Sequence, residues 1–91
     1  MKTEKLHEKM VSELENEIVR IRKQADGIYK LDTKLIEKAL EVFESSKETA
    51  LWLVSPIPSL GGKTPVGEGR TRKGNCRVMR VLSAIENGLF L

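Results

Sequence analysis

The chain has one cysteine, Cys76, and one histidine, His7, among its 91 residues. A lone cysteine cannot close an internal disulfide, which fits a reducing compartment such as the cytoplasm. His7 has no second histidine or cysteine at metal-ligand spacing, so it reads as a solvated residue near a frayed helix end and no metal or cofactor site is expected. It also lies in a charged N-terminal stretch, which leaves no serine–histidine–acid set for nucleophilic catalysis. The four aromatic residues, Tyr29, Phe43, Trp52 and Phe90, are poor material for a base-stacking platform. The longest apolar run is Ala50 to Val54, too short to span a membrane. The first residues alternate in charge and lack the apolar core of a signal peptide.

The net charge of +3 is unevenly placed. Residues 1–50 carry 10 basic and 11 acidic side chains, whereas residues 51–91 carry 6 basic and 2 acidic. The six are Lys63, Arg70, Arg72, Lys73, Arg77 and Arg80. A basic half can meet nucleic acid or an acidic protein surface.

All three prolines, Pro56, Pro58 and Pro65, fall within fourteen residues, Trp52 to Pro65, together with the only tryptophan. The loop in this stretch has little conformational freedom to lose on folding. The remainder shows helical spacing and no alternating strand pattern. Val11, Leu14, Ile18, Ile21, Ala25 and Ile28 recur at threes and fours over about residues 3–28, close to a heptad seam. This stripe buries against its own domain or against a second copy of the chain, with Val11, Leu14, Ile18 and Ile21 as the self-association candidates. Gly27 predicts a helix end nearby.

Asp32 is a good N-cap for a second helix with Leu35, Ile36, Ala39, Leu40 and Phe43 on its apolar face. Ser45 followed by Glu48 forms a capping box, so a third helix starts near Ser46 and carries Ala50, Leu51, Trp52 and Leu53. Trp52 reads as core. Pro56 and Pro58 stop that helix. Leu60 is expected to anchor the loop, and Gly61-Gly62 permits backbone angles closed to other residues. Thr64-Pro65 reads as an N-cap followed by proline in a first turn, although Gly67 and Gly69 weaken the helix that follows. A last helix runs from about Thr71 to Asn87, with Val78, Val81, Leu82 and Ile85 on one face and Gly88 as its left-handed stop. Leu89-Phe90-Leu91 are apolar and need a partner surface.

Gly62-Lys63-Thr64 resembles the end of a phosphate-binding loop, but Ile57 stands where that pattern needs glycine. Cys76 has no plausible base and reads as a small half-buried side chain. No enzyme is expected.

From Ala39 to Leu91 the chain resembles the toxin-binding domain of the Xre/MbcA/ParS-like antitoxins. The residues that carry the resemblance are Ala39, Val42-Phe43 and Trp52-Leu53. The loop Pro56-Ile57-Pro58-Ser59-Leu60-Gly61-Gly62-Lys63-Thr64-Pro65 follows, then Gly74, Val78, Leu82 and Ile85-Glu86-Asn87-Gly88-Leu89-Phe90. Two positions depart from the pattern. Val66-Gly67-Glu68-Gly69 replaces a Leu-Glu-Leu-Leu-like turn, and Asn87 stands where histidine is frequent. The resemblance implies an all-α protein whose partner is a RES-domain toxin that consumes NAD. It implies inhibition by covering the toxin's active-site entrance, with the C-terminal end reaching the pocket. On that basis the toxin-binding residues are Lys63, Arg77, Arg80, Glu86, Asn87, Gly88, Leu89, Phe90 and Leu91. The loop is shaped by Pro56, Pro58, Leu60, Gly61, Gly62, Thr64 and Pro65. Many members also carry a helix-turn-helix domain for DNA. The 38 residues before Ala39 read mostly as one helix, too short for that domain, so DNA binding is not favoured.

The expected architecture is therefore a long N-terminal helix in residues 1–30 and a compact three- to four-helix toxin-binding domain in residues 31–91, with the protein a dimer. The alternatives are a small basic DNA-binding regulator using Arg70, Arg72, Lys73, Arg77 and Arg80, or a plain helical dimerisation module.

Overall fold

A computed structural model describes residues 2–88, with side chains described from Glu4 onward. Helix α1 spans Lys2–Ile28, α2 Thr33–Phe43, α3 Ser46–Leu53, α4 Pro65–Glu68 and α5 Arg72–Glu86, with a 3-10 turn at Pro58–Leu60. The protein is all-α; among the described residues no strand forms, and Ile57 and Lys63 make one isolated bridge.

The helix starts follow side-chain chemistry. Asp32 accepts from the Lys34 amide, Ser45 from Glu48, Thr64 from Gly67 and Thr71 from Gly74. Each bond satisfies an amide that the first helical turn leaves without a partner. Proline at the first position of α4 lets that helix form despite Gly67, because the position needs no amide and its φ is already helical. Helix α2 stops at Glu44, whose φ of 56° is left-handed and whose amide donates to Leu40 O at 2.8 Å. Nothing in the sequence marks this turn, because glycine or asparagine is the usual residue there.

Leu35 and Ala39 of α2, Leu53 of α3, Val66 of α4 and Val78 and Leu82 of α5 form the core, with Leu31, Val54, Leu60 and Val81 at its margin. Thr49 is buried with them and donates to Ala39 O at 3.5 Å, tying α3 to α2. Trp52 is half-buried against this core and packs on Phe43, ring centroids 5.4 Å apart. Leu40 and Leu51 are exposed, since each lies on the solvent side of a helix too short to bury both faces. Cys76 is exposed rather than half-buried, because it lies on the α5 face turned away from Val78 and Leu82.

Only the last turns of α1 touch this core. Gly27 meets Val66 so closely that a Cβ there would overlap its Cγ1, and Ile28 packs at the core's edge. Before them the helix projects away. The molecule measures 53 × 27 × 24 Å with a radius of gyration of 16.0 Å, against about 12 Å for a compact chain of this length. Val11, Leu14, Ile18 and Ile21 are 42–65 % exposed, so the stripe does not lie on its own domain.

Candidate interaction surface

The loop from Ser55 to Thr64 closes on itself through backbone bonds. Ile57 donates to Lys63 O at 3.1 Å, and Ile57 O accepts from Leu60 and Gly62 at 2.9 and 3.0 Å. Leu60 is buried and pins the loop to the core, while Pro56 and Pro58 are exposed. Gly61 and Gly62 have φ of 68° and 80°, and no atom stands within 4 Å of where a Cβ would lie. The requirement there is conformational, not steric: a side chain in the left-handed region costs about 1–2 kcal/mol per residue. Gly61→Val and Gly62→Val should each destabilise the domain by about 1 kcal/mol or more in a chemical denaturation curve. Unchanged midpoints for both would show that the loop readily takes another path.

Thr64 joins three elements. Its hydroxyl donates to Gln24 Oε1 of α1 at 2.8 Å and accepts from the Gly67 amide at 3.1 Å. The loop, the start of α4 and the base of α1 are thereby held together, with Pro65 buried beneath them.

Beside this junction Glu68 links loop to helix. Its carboxylate accepts from Arg77 Nε of α5 at 2.8 Å, and Lys63 Nζ lies 3.5 Å away. The Glu68 side chain is only 10 % exposed. The Arg77 hydrogen bond, and then the charges of Arg77 and Lys63, hold its carboxyl below the ordinary glutamate value. A lowered carboxyl pKa stabilises the fold at neutral pH. That contribution is complete above the unfolded value of about 4.3 and is lost as pH falls through the folded one. Glu68→Gln should therefore lower stability at neutral pH and lose less than the native protein on acidification. Parallel losses in both proteins between pH 6 and pH 3 would count against the clamp.

Lys63 and Arg77, both expected to face a partner, meet on one carboxylate. Arg80 follows one turn later and is exposed, sharing a shallow groove with Arg72, Lys73, Cys76 and Arg77. Glu86 lies nine residues beyond Arg77, about 13 Å along the helix axis. It pairs with Lys38 of α2 at 2.6 Å, a bond that raises the Lys38 pKa. Asn87 ends α5, with its amide donating to Ser83 O at 3.1 Å, and Gly88 turns the chain at φ 77°. Leu89, Phe90 and Leu91 lie outside the described residues. The candidate residues within the described chain thus form two groups, one around the Glu68 clamp and one at the end of α5.

Sequence reasoning missed Glu68. The signal was available: Glu68 and Glu86 are the only acids in the basic half, and both are paired with cations.

Among the described residues no helix is long and apolar enough to cross a membrane, and no group of three or more potential ligand residues could hold a metal ion. No curated protein and no solved structure matches the chain. A match to a protein family does exist. It covers residues 38–88, from the middle of α2 through the closed loop and the Glu68 clamp to the turn at Gly88. With more than half of its length in that match, the chain belongs to the family of the antitoxin Xre/MbcA/ParS C-terminal toxin-binding domain.

Proposed function

We propose that this protein is the antitoxin of a toxin–antitoxin pair and that its target is a RES-domain toxin that consumes NAD. It acts in the cytoplasm, by occlusion and without catalysis of its own. Residues 31–91 form the toxin-binding unit, and residues from Glu86 onward enter or cover the toxin's NAD site. The observation that carries this reading is the family match over residues 38–88, which ends at the left-handed turn of Gly88. Gly88 takes a left-handed φ of 77° just past α5, and the sequence that follows it, Leu89-Phe90-Leu91, is apolar and carries an aromatic of the kind that anchors interfaces. Arg77 and Arg80 precede Glu86 on α5, with Lys63 of the loop beside Arg77 at Glu68, and the three serve encounter more than affinity.

The test is co-expression and co-purification with a RES-domain toxin, followed by an NAD-consumption assay. Inhibition should be stoichiometric. Failure to form a complex in which the toxin loses activity would overturn the proposal. A second reading, DNA binding, draws on the exposed Arg72, Lys73 and Arg80 of α5. A steeply salt-dependent gel shift on the protein's own promoter would favour it. We propose also that the protein is a dimer joined along α1.

A further inference from the structure

The apolar stripe of α1 projects from the domain without a partner among the described residues. We infer that its occupant is a second copy of the chain, bound in parallel and in register, so that both C-terminal domains sit at the same end of a short coiled coil.

The register follows from the spacing. Val11 and Ile18 take the first core position of the heptad, and Leu14 and Ile21 the fourth. β-Branched residues at the first position with leucine at the fourth favour two parallel strands; Ile21 is the one departure. All four side chains are 42–65 % exposed. The domain does not obstruct this face. It touches α1 through Gln24, Gly27 and Ile28; Ile28, the last residue of the stripe, is taken up by the domain, while the mean direction of the three is a little over a quarter turn from Val11–Ile21 at 100° per residue. Ala25, the next core position, is exposed and small, which leaves room where the helices reach the domains.

Charge selects the orientation. In a parallel pair the residue before each first core position faces the residue five further on in the other helix. That sets Glu17 against Arg22 of the second copy, twice per dimer by symmetry, and sets Met10 against Glu15, with no like charges opposed between Met10 and Arg22. In the antiparallel pairing that keeps the same core, Leu14 faces Ile18 and Val11 faces Ile21. It gains Glu8 against Arg22, but it opposes Glu15 to Glu15 and Glu17 to Glu17. Over the Val11–Ile21 core the parallel arrangement is the one without repulsion. Glu17 already holds Arg20 on its own helix, a surface contact that a cross-helix bond to Arg22 can share.

Two domains side by side present two copies of the same binding surface. A dimeric partner engaged at both gains from effective concentration, which adds avidity with no new contact. Only this bivalency rests on the toxin-binding reading; the dimer itself does not.

The experiment uses the full chain without any toxin. Sedimentation equilibrium should give twice the monomer mass, and Ile18→Asp with Ile21→Asp should halve it while the helical spectrum of the domain persists. Glu17→Lys should weaken the dimer about tenfold, and adding Arg22→Glu should restore it. In a Cys76→Ser background, Leu14→Cys should form a reducible covalent dimer on mild oxidation, since equivalent residues face each other only in the parallel pair. A native protein that sediments as a monomer at high micromolar concentration would overturn the proposal. So would cross-linking that needs a mixture of Leu14→Cys and Ile18→Cys chains, the antiparallel signature.

Discussion

Gly74→Ala should strongly destabilise the C-terminal domain. A Cβ at this position would fall inside the carbonyl of Glu68, overlapping its oxygen, and would also stand 3.0 Å from Thr71 Oγ1. The clash is with backbone, so no side-chain rotation relieves it. Relief requires α4 to separate from α5, which would disturb the core that Val66, Val78 and Leu82 share and the bond from Arg77 to Glu68. Overpacking a tight contact costs about 1–3 kcal/mol, and more where backbone must move. Domains of this size have roughly 5–10 kcal/mol in all, so about 3 kcal/mol is a large share. Glycine in the first turn of a helix is otherwise a poor choice, and an exposed site there would gain from alanine. The sign of the change is therefore diagnostic. A thermal midpoint that rises, or that falls by less than about 3 °C, would mean the two helices sit farther apart than this packing requires.

Gly74 also shows where a sequence stops being readable. It could be matched to a family pattern, but the atom that forbids a side chain there belongs to Glu68, six residues earlier, across a turn. Such a contact is a property of the assembled helices and leaves no local trace. The caps behave in the opposite way. Asp32, Ser45, Thr64 and Thr71 act within three residues of themselves, and the helix starts they mark are where the spacing predicts them. Helix α4 lies between these cases. Gly67 and Gly69 argue against a helix, yet one turn forms because Thr64 caps it, Pro65 starts it, and Val66 is wholly buried by its neighbours. Tertiary burial outweighs the propensity of one short turn. The stripe on α1 was legible as a pattern but not as a destination. Period alone cannot tell whether Val11 to Ile21 face their own domain or another chain, and only the projecting helix excludes the first.

Removing Leu89, Phe90 and Leu91 should abolish neutralisation of the toxin and leave the domain folded. Leu35, Leu53, Leu82, Val66 and Val78 are fully buried, and Trp52 has a ring partner in Phe43. The alternative fate of Phe90, folding back on Trp52, competes with that pairing. If Phe90 is the anchor in the toxin pocket, Phe90→Ala alone should cost about 2 kcal/mol or more, near thirtyfold in affinity, as expected of a central aromatic contact. The three-residue deletion should cost more. Arg80→Ala, by contrast, should slow association in low salt and change the dissociation rate little, because a rim charge steers the encounter and is screened as salt rises. Melting temperature separates the outcomes. A truncated protein that keeps its midpoint but no longer protects cells supports the plug. One that unfolds assigns the tail to the core. One that is stable and fully protective moves the inhibitory surface elsewhere, and the Glu68 clamp, which presents Lys63 and Arg77 beside the closed loop, is then the surface to mutate next.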